Sequence, residues 1–145
     1  MKPKLFIASD HAALALKSRL IALAPNAEWE DLGPSDATSV DYPDYAEKLC
    51  QAVLKHPGAL GVLLCGSGIG MSIAANKVDG IRAACVENPV SARLAREHND
   101  AQVLCMGARF TAPEYAAEIL SAFLSAKFAG GRHQGRVEKI QRLER

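Results

Sequence analysis

Leu60-Gly-Val-Leu-Leu-Cys65-Gly-Ser-Gly-Ile-Gly70-Met-Ser-Ile-Ala-Ala-Asn-Lys77 places a short apolar run, a glycine-rich turn and an amphipathic stretch in direct succession. The run from Gly61 to Leu64, leading into Cys65, predicts a buried strand, and the stretch beyond the turn predicts a helix. Gly66, Gly68 and Gly70 let the backbone curl close to an anion without Cβ clashes. Cys65 then faces the first free N–H groups of a helix, where the dipole favours a thiolate. The segment therefore offers a base or nucleophile beside a hole for developing negative charge. The alternative for Cys65 is a small buried hydrophobe at a strand end. A dinucleotide-binding turn would need its last glycine where Met71 stands, and only the weak Val86-Glu87 approximates the acidic strand end it also needs. Gly-Lys-Ser/Thr does not occur, which excludes a P-loop.

Outward from this segment the same alternation repeats. Strands are predicted at Lys4–Ser9, Glu28–Leu32, Ile81–Val86 and Ala101–Met106. Between them lie a helix over Ala12–Leu23, with Leu14, Leu16, Leu20 and Leu23 mostly on one side, and another from about Pro43 to Lys55 after a polar loop over Gly33–Tyr42. Asn88-Pro89 supplies a capping side chain followed by proline at the first helical position. Thr111-Ala-Pro-Glu114 opens a long helix to about Phe128, with Glu114 as a capping-box partner. Five strand–helix repeats predict an α/β fold: a doubly wound, parallel five-stranded sheet in a three-layer αβα, Rossmann-like sandwich. In such sheets ligands sit outside the carboxyl ends of the strands. That groups Ser9-Asp10-His11, Cys65-Gly66-Ser67, Glu87-Asn88 and Gly107-Ala108-Arg109.

Residues 130–145 differ in character. Gly130-Gly131 forms a hinge before a helix whose Val137, Ile140 and Leu143 make a narrow apolar stripe. One stripe cannot fold alone, so this helix docks on its own domain or on a partner subunit. The expected organisation is a single α/β domain over 1–129 and a C-terminal docking helix over 130–145.

The bulk properties narrow the function. The chain has 145 residues, 49% of them apolar, and a formal net charge of +1. That length closes a core without disulfides, and that charge predicts neither a nucleic-acid nor a membrane surface. No apolar run approaches the roughly 20 residues of a membrane span, and no signal peptide is visible. Cys50, Cys65, Cys85 and Cys105 are widely spaced, with no C-x-x-C pair, which predicts reduced thiols in a cytoplasmic protein and no metal site.

Several polar residues carry two readings. Asp10 and His11 follow the first strand as a helix cap and a solvated side chain, or as site residues. His98, in the His98-Asn-Asp100 turn, is a helix-end group or a proton carrier. Arg132 and Arg136, one turn apart with His133 beside the first, form a solvated face or a phosphate clamp. Tyr42 is core or a stacking platform for a small sugar.

Together these segments resemble the type B ribose-5-phosphate isomerase family, in the group that also holds galactose-6-phosphate isomerase subunits. The resemblance runs through Ser9-Asp-His-Ala12, Asp41-Tyr-Pro-Asp-Tyr-Ala46, Cys65-Gly-Ser-Gly-Ile-Gly70 and Ser72-Ile-Ala-Ala-Asn-Lys77. It continues through Gly80-Ile-Arg-Ala83, Glu97-His-Asn-Asp100, Gly107-Ala-Arg109 and Gly130-Gly-Arg-His-Gln134, with Arg136 just beyond.

The resemblance implies interconversion of ribose 5-phosphate and ribulose 5-phosphate through an enediolate, in the pentose phosphate pathway, without metal or organic cofactor. It assigns ring opening to His98 assisted by Asp10, proton transfer at carbon to Cys65, and proton transfer at a substrate oxygen to Ser67, where relatives commonly have threonine. The N–H groups across Gly66, Gly68 and Gly70 would stabilise the enediolate. His11, Arg109, Arg132 and Arg136 would anchor the phosphate, the tail arginines largely from the neighbouring subunit, and Asn99 and Tyr42 would contact the sugar. A homodimer with shared sites follows, with pairing of dimers left open. Some relatives lack the thiol and use a glutamate further along; here Cys65 is present and position 71 is Met. The alternatives are an isomerase of a six-carbon phosphate, such as allose 6-phosphate or galactose 6-phosphate, and a non-catalytic sugar-phosphate-binding module.

Overall fold

A computed structural model describes residues 2–144; Met1 and Arg145, the outermost positions of the two expected segments, lie outside the described residues. Five strands, β1 (Lys4–Ser9), β2 (Glu28–Asp31), β3 (Leu60–Cys65), β4 (Ala83–Cys85) and β5 (Val103–Gly107), form one sheet in the order β2-β1-β3-β5-β4. Every pairing is parallel. The helices are α1 (Leu14–Leu23), entered through a 3-10 turn at His11–Ala13, then α2 (Tyr42–Lys55), α3 (Ile69–Ala75), α4 (Pro89–Asn99), α5 (Pro113–Ser125) and α6 (Arg132–Gln141).

Alternation along the strands divides the core in two. Leu5, Ile7, Val62, Leu64, Leu104 and Met106 face Leu16, Leu20, Ala92, Ala95, Ile119 and Phe123 of α1, α4 and α5. Phe6, Ala8, Leu63, Cys65, Val103 and Cys105 face Leu49, Val53, Met71 and Ala75 of α2 and α3. All six residues of β3 are buried, as a central parallel strand requires. Each fully buried Leu or Val there contributes about 1.5–3 kcal/mol. The three-layer sandwich expected from the alternation is therefore the fold. From β1 the chain winds to β2 on one side and to β3 on the other, so the crevice opens between the carboxyl ends of β1 and β3.

Some local expectations fail for identifiable reasons. Thr111 and Glu114 form no capping box: the cap position is Ala112, which makes no side-chain bond, and Pro113 opens the helix. Glu114 instead pairs with Arg19 of α1 at 2.9 Å. Asn88 does cap α4, accepting from the Ser91 N–H at 2.8 Å. Helix α5 stops at Ser125 rather than Phe128, and Ala129 N–H donates to the Glu97 carbonyl. On α1 the buried face includes Lys17, only 2% exposed, whereas Leu23 is exposed. In the tail only Val137 is buried; Ile140 is exposed, and Leu143, past the end of α6, is 80% exposed.

Candidate active site

The carboxyl edge of the sheet gathers one set of polar groups. Asp10 N–H donates to the Leu64 carbonyl at 3.0 Å, tying the end of β1 to β3. The Asp10 side chain caps the 3-10 turn, its Oδ1 accepting from Ala12 N–H at 3.0 Å. The cap reading is thus realised, and Oδ2 is left without a protein partner among the described residues. His11 Nδ1 accepts the Val40 N–H at 3.1 Å. In the neutral ring this puts the proton on Nε2, where it can be donated. The loop that carries Val40 rests on Lys17, whose Nζ donates to Asp31 Oδ1 at 2.9 Å and to the Pro34 carbonyl at 2.6 Å. Sequence reading did not single out Lys17; its one signal was a charge interrupting a leucine face.

The glycine turn is shaped by close approaches. Gly68 has φ +79°, and a Cβ there would lie 2.8 Å from the Met106 carbonyl carbon. A side chain would meet both backbone strain and β5. At Gly70 a Cβ would fall 2.5 Å from Tyr42 Cζ, so the glycine lets the half-exposed phenol lie against α3. Arg109, tethered by its N–H to the Gly66 carbonyl at 3.0 Å, lays its guanidinium over Gly66.

Within this turn Gly68 N–H donates to Cys65 Sγ at 3.1 Å, and Ile69 N–H donates to Ser67 Oγ at 3.2 Å. The first-turn N–H groups of Gly70 and Met71 have no backbone acceptor among the described residues, as helix starts leave them. Thiol, hydroxyl and unpaired donors therefore meet at one helix head.

The other cysteines differ in environment. Burial pushes the Cys50 thiol up to about 12 and the Cys105 thiol well above its ordinary value. Cys85, exposed at the end of β4, is also raised, first by partial desolvation and then by the neighbouring Cys65 and Glu87. All three remain thiols at neutral pH.

His98, Asn99, Arg132 and Arg136 do not join this group within one chain. Helix α4 runs back from the end of β4 to the start of β5, so His98 and Asn99 sit at the amino edge of the sheet. The length of β5, five residues at about 3.3 Å each, separates the two edges. The expected assistance of His98 by Asp10 is thus not available inside one chain. The His98 ring stacks on His133 of α6, centroids 4.2 Å apart and planes 15° from parallel. That contact brings Arg132 and Arg136 to the same edge. The His133 pKa is lowered by partial burial, then by His98, Arg132 and Arg136. Arg19, Arg82, Arg93 and Arg96 pair with carboxylates. Arg109, Arg132, Arg136 and Arg142 have no such partner among the described residues. No three of His, Cys, Asp and Glu converge to hold a metal ion among the described residues, and no helix there is long and apolar enough to cross a membrane.

A doubly wound sheet whose crevice holds a thiol, a hydroxyl and helix N–H groups, with the Arg109 guanidinium over the same turn, defines an enzyme of small anionic substrates. Comparison with known proteins makes the class specific. The family model for ribose/galactose isomerases matches residues 5–140. A probable ribose-5-phosphate isomerase B of Mycoplasma pneumoniae is 47% identical, covering 100% of this chain and 97% of its own. The ribose-5-phosphate isomerase B of Escherichia coli is 42% identical over 97% of this chain and 96% of its own. The solved type B ribose 5-phosphate isomerase of Trypanosoma brucei superposes with a TM-score of 0.95 at 42% identity, covering 99% of this chain and all of that one. The chain belongs to the ribose/galactose isomerase family and is a sugar-phosphate isomerase.

Proposed function

We propose that the chain interconverts D-ribose 5-phosphate and D-ribulose 5-phosphate as a homodimer whose active sites each draw on both subunits. The observation that carries the chemistry is the seating of Cys65 Sγ at the head of α3, 3.1 Å from the Gly68 N–H. Cys65 removes the proton at C2 of the open-chain aldose and returns it at C1. Negative charge develops on the enediolate oxygens, where the unpaired N–H groups of Gly70 and Met71 stabilise it, a contribution of about 3–4 kcal/mol per donor in comparable sites. Ser67 Oγ accepts from Ile69 N–H, so its own hydroxyl proton is free to pass between O1 and O2.

The division of the polar groups between two edges supports the shared site. Asp10, His11, Tyr42, Cys65, Ser67 and Arg109 of one protomer would meet His98, Asn99, Arg132 and Arg136 of its partner. His98 then exchanges the ring-opening proton of the furanose with assistance from Asp10 across the interface. His11, Arg109 and the partner's tail arginines hold the phosphate and so orient the distant reacting carbons. The exposed Ile69 and Ile73 of α3, Ile140 of α6 and Leu143 beyond it supply apolar surface for such a contact.

Two measurements test this reading. Purified protein should form ribulose 5-phosphate from ribose 5-phosphate, and should exchange solvent deuterium into C1 of ribulose 5-phosphate. Cys65→Ala should lose both while holding inorganic phosphate within about threefold of wild type. Substantial turnover by Cys65→Ala would refute the thiol base. For the shared site, Cys65→Ala and Arg136→Ala chains are refolded together. Hybrid dimers then contain one intact site, and random pairing should restore about a quarter of wild-type turnover. No recovery in verified hybrids would place all the residues in one chain.

A further inference from the structure

Arg82, one residue ahead of β4, is bonded on every edge of its guanidinium. Nε–H donates to the Asn99 carbonyl at 2.8 Å, Nη1–H to Gln141 Oε1 at 2.8 Å, and Nη2–H to the Asp100 carbonyl at 2.9 Å. Nη2 also lies 3.6 Å from Asp100 Oδ2, and the side chain is only 14% exposed. The backbone of Arg82 is fixed as well, its N–H donating to Gln102 Oε1 at 2.8 Å and its carbonyl accepting from Gln102 N–H at 3.0 Å.

What this fork holds is the turn after His98. Asp100 has φ 47° and ψ 42°, a left-handed helix end that is uncommon outside glycine and that Asp accepts more readily than most residues. Arg82 grips the turn from the sheet side. Arg96 grips it from α4, donating to Asp100 Oδ1 at 3.0 Å and to the Ala101 carbonyl at 2.7 Å. The third arm of Arg82 reaches Gln141 at the far end of α6, whose other end carries Arg132, His133 and Arg136. Helix α6 also meets its own chain through buried Val137, the His133–His98 stack and Ile140, which lines a cavity with Ala83 and Asn99, and beyond its end Glu144 Oε1 accepts the Gly80 N–H at 2.7 Å.

We infer that Arg82 is a positioning residue for the isomerisation: it locks the His98–Asn99 turn and α6 into one rigid unit that is presented to the Cys65 edge of the partner. The planar fork with donors at fixed angles suits three acceptors on three segments, and an ammonium group cannot reproduce that geometry. This inference rests on the shared-site isomerase reading, which assigns substrate contacts to the unit Arg82 holds.

The prediction separates positioning from general stability. Arg82→Lys and Arg82→Gln should raise KM for ribose 5-phosphate and weaken inorganic phosphate binding, each about tenfold, with a fall in kcat. Deuterium exchange at C1 of saturating ribulose 5-phosphate should fall far less, because the Cys65 edge is untouched. Loss of folded protein alone would lower kcat and exchange together and leave KM unchanged; that outcome overturns the inference. Gln141→Ala guards against a variant that fails to fold, since it removes only the part-buried arm to α6 and leaves the two bonds to the turn. It should raise KM and weaken phosphate binding about threefold with the melting temperature unchanged, and unaltered KM and phosphate affinity there would equally overturn the proposal. Phosphate binding is read by calorimetry without turnover, so the inference stands or falls on it even if ribose 5-phosphate is not the substrate. A wild type inactive on ribose 5-phosphate would refute that substrate instead.

Discussion

Gly68→Ala tests whether the turn at the active site is fixed by close approach as well as by backbone conformation. Gly58 and Gly68 have nearly the same left-handed backbone, φ +84° and +79°. A Cβ on Gly58 would meet nothing within 4 Å, whereas one on Gly68 would lie 2.8 Å from the Met106 carbonyl carbon and 3.1 Å from Gly107 N. Both substitutions therefore incur the left-handed strain of about 1–2 kcal/mol. Only Gly68→Ala adds an overpacking cost of about 1–3 kcal/mol against backbone atoms that cannot rotate aside. A chain of this length unfolds with an entropy near 0.3 kcal/mol/K, so each kcal/mol lowers Tm by about 3 °C. Gly58→Ala should lose roughly 3–6 °C and Gly68→Ala roughly 6–15 °C by circular dichroism melting. The clash also moves the Gly68 N–H off Cys65 Sγ, so kcat should fall at least tenfold in Gly68→Ala and stay at the wild-type value in Gly58→Ala. Equal melting losses in the two variants would refute the close-approach argument, and unchanged turnover in Gly68→Ala would refute the role of the N–H.

Lys17→Met removes the buried ammonium that braces the loop over residues 33–41. It leaves the Pro34 carbonyl unpaired, so we expect a loss of about 1–3 kcal/mol in urea unfolding. KM should rise because Val40 no longer fixes His11, and an unchanged KM would show that the loop holds its place without the lysine. His133 gives a pH prediction. Its folded-state pKa lies below the ordinary value of 6.5, so the unfolded chain binds more protons between the two values. Stability is therefore fully present above about 6.5 and declines as pH falls through the lowered folded-state value. Hydrogen exchange of α6 amides should speed up with acidification across that window, after correction for intrinsic rates. His133→Gln should abolish the effect, and persistence in that variant would assign the titration to another group.

The legible part of the fold was the part governed by local pattern. In β1, β3 and β5, apolar runs of five or six residues fix strand identity because burial in a parallel sheet admits little else. The edge strands are less regular: β2 is mostly charged and β4 shrinks to Ala83–Cys85. Errors fell where a distant partner outweighs local chemistry. Glu114 had the spacing of a capping box, but Arg19 across the α1–α5 contact took its carboxylate. Leu23 fitted a leucine stripe, yet Lys17 occupies the buried face because Asp31 and the Pro34 carbonyl wait there to receive it. Arg82 stood in a recognisable motif with no visible purpose, since its three acceptors lie 17, 18 and 59 residues away.

By itself the sequence determined the class of fold, the thiol at the head of a helix, and the family. All three rest on short-range order: period, spacing, and glycines where the backbone must turn tightly. Only the tertiary structure decided that the candidate site residues form two sets at opposite edges of the sheet. Each helix in a doubly wound fold runs back against the strands, so residues at a helix end, such as His98, lie a full strand length from those at a strand end, such as Cys65. Adjacency along the chain carries no record of that reversal.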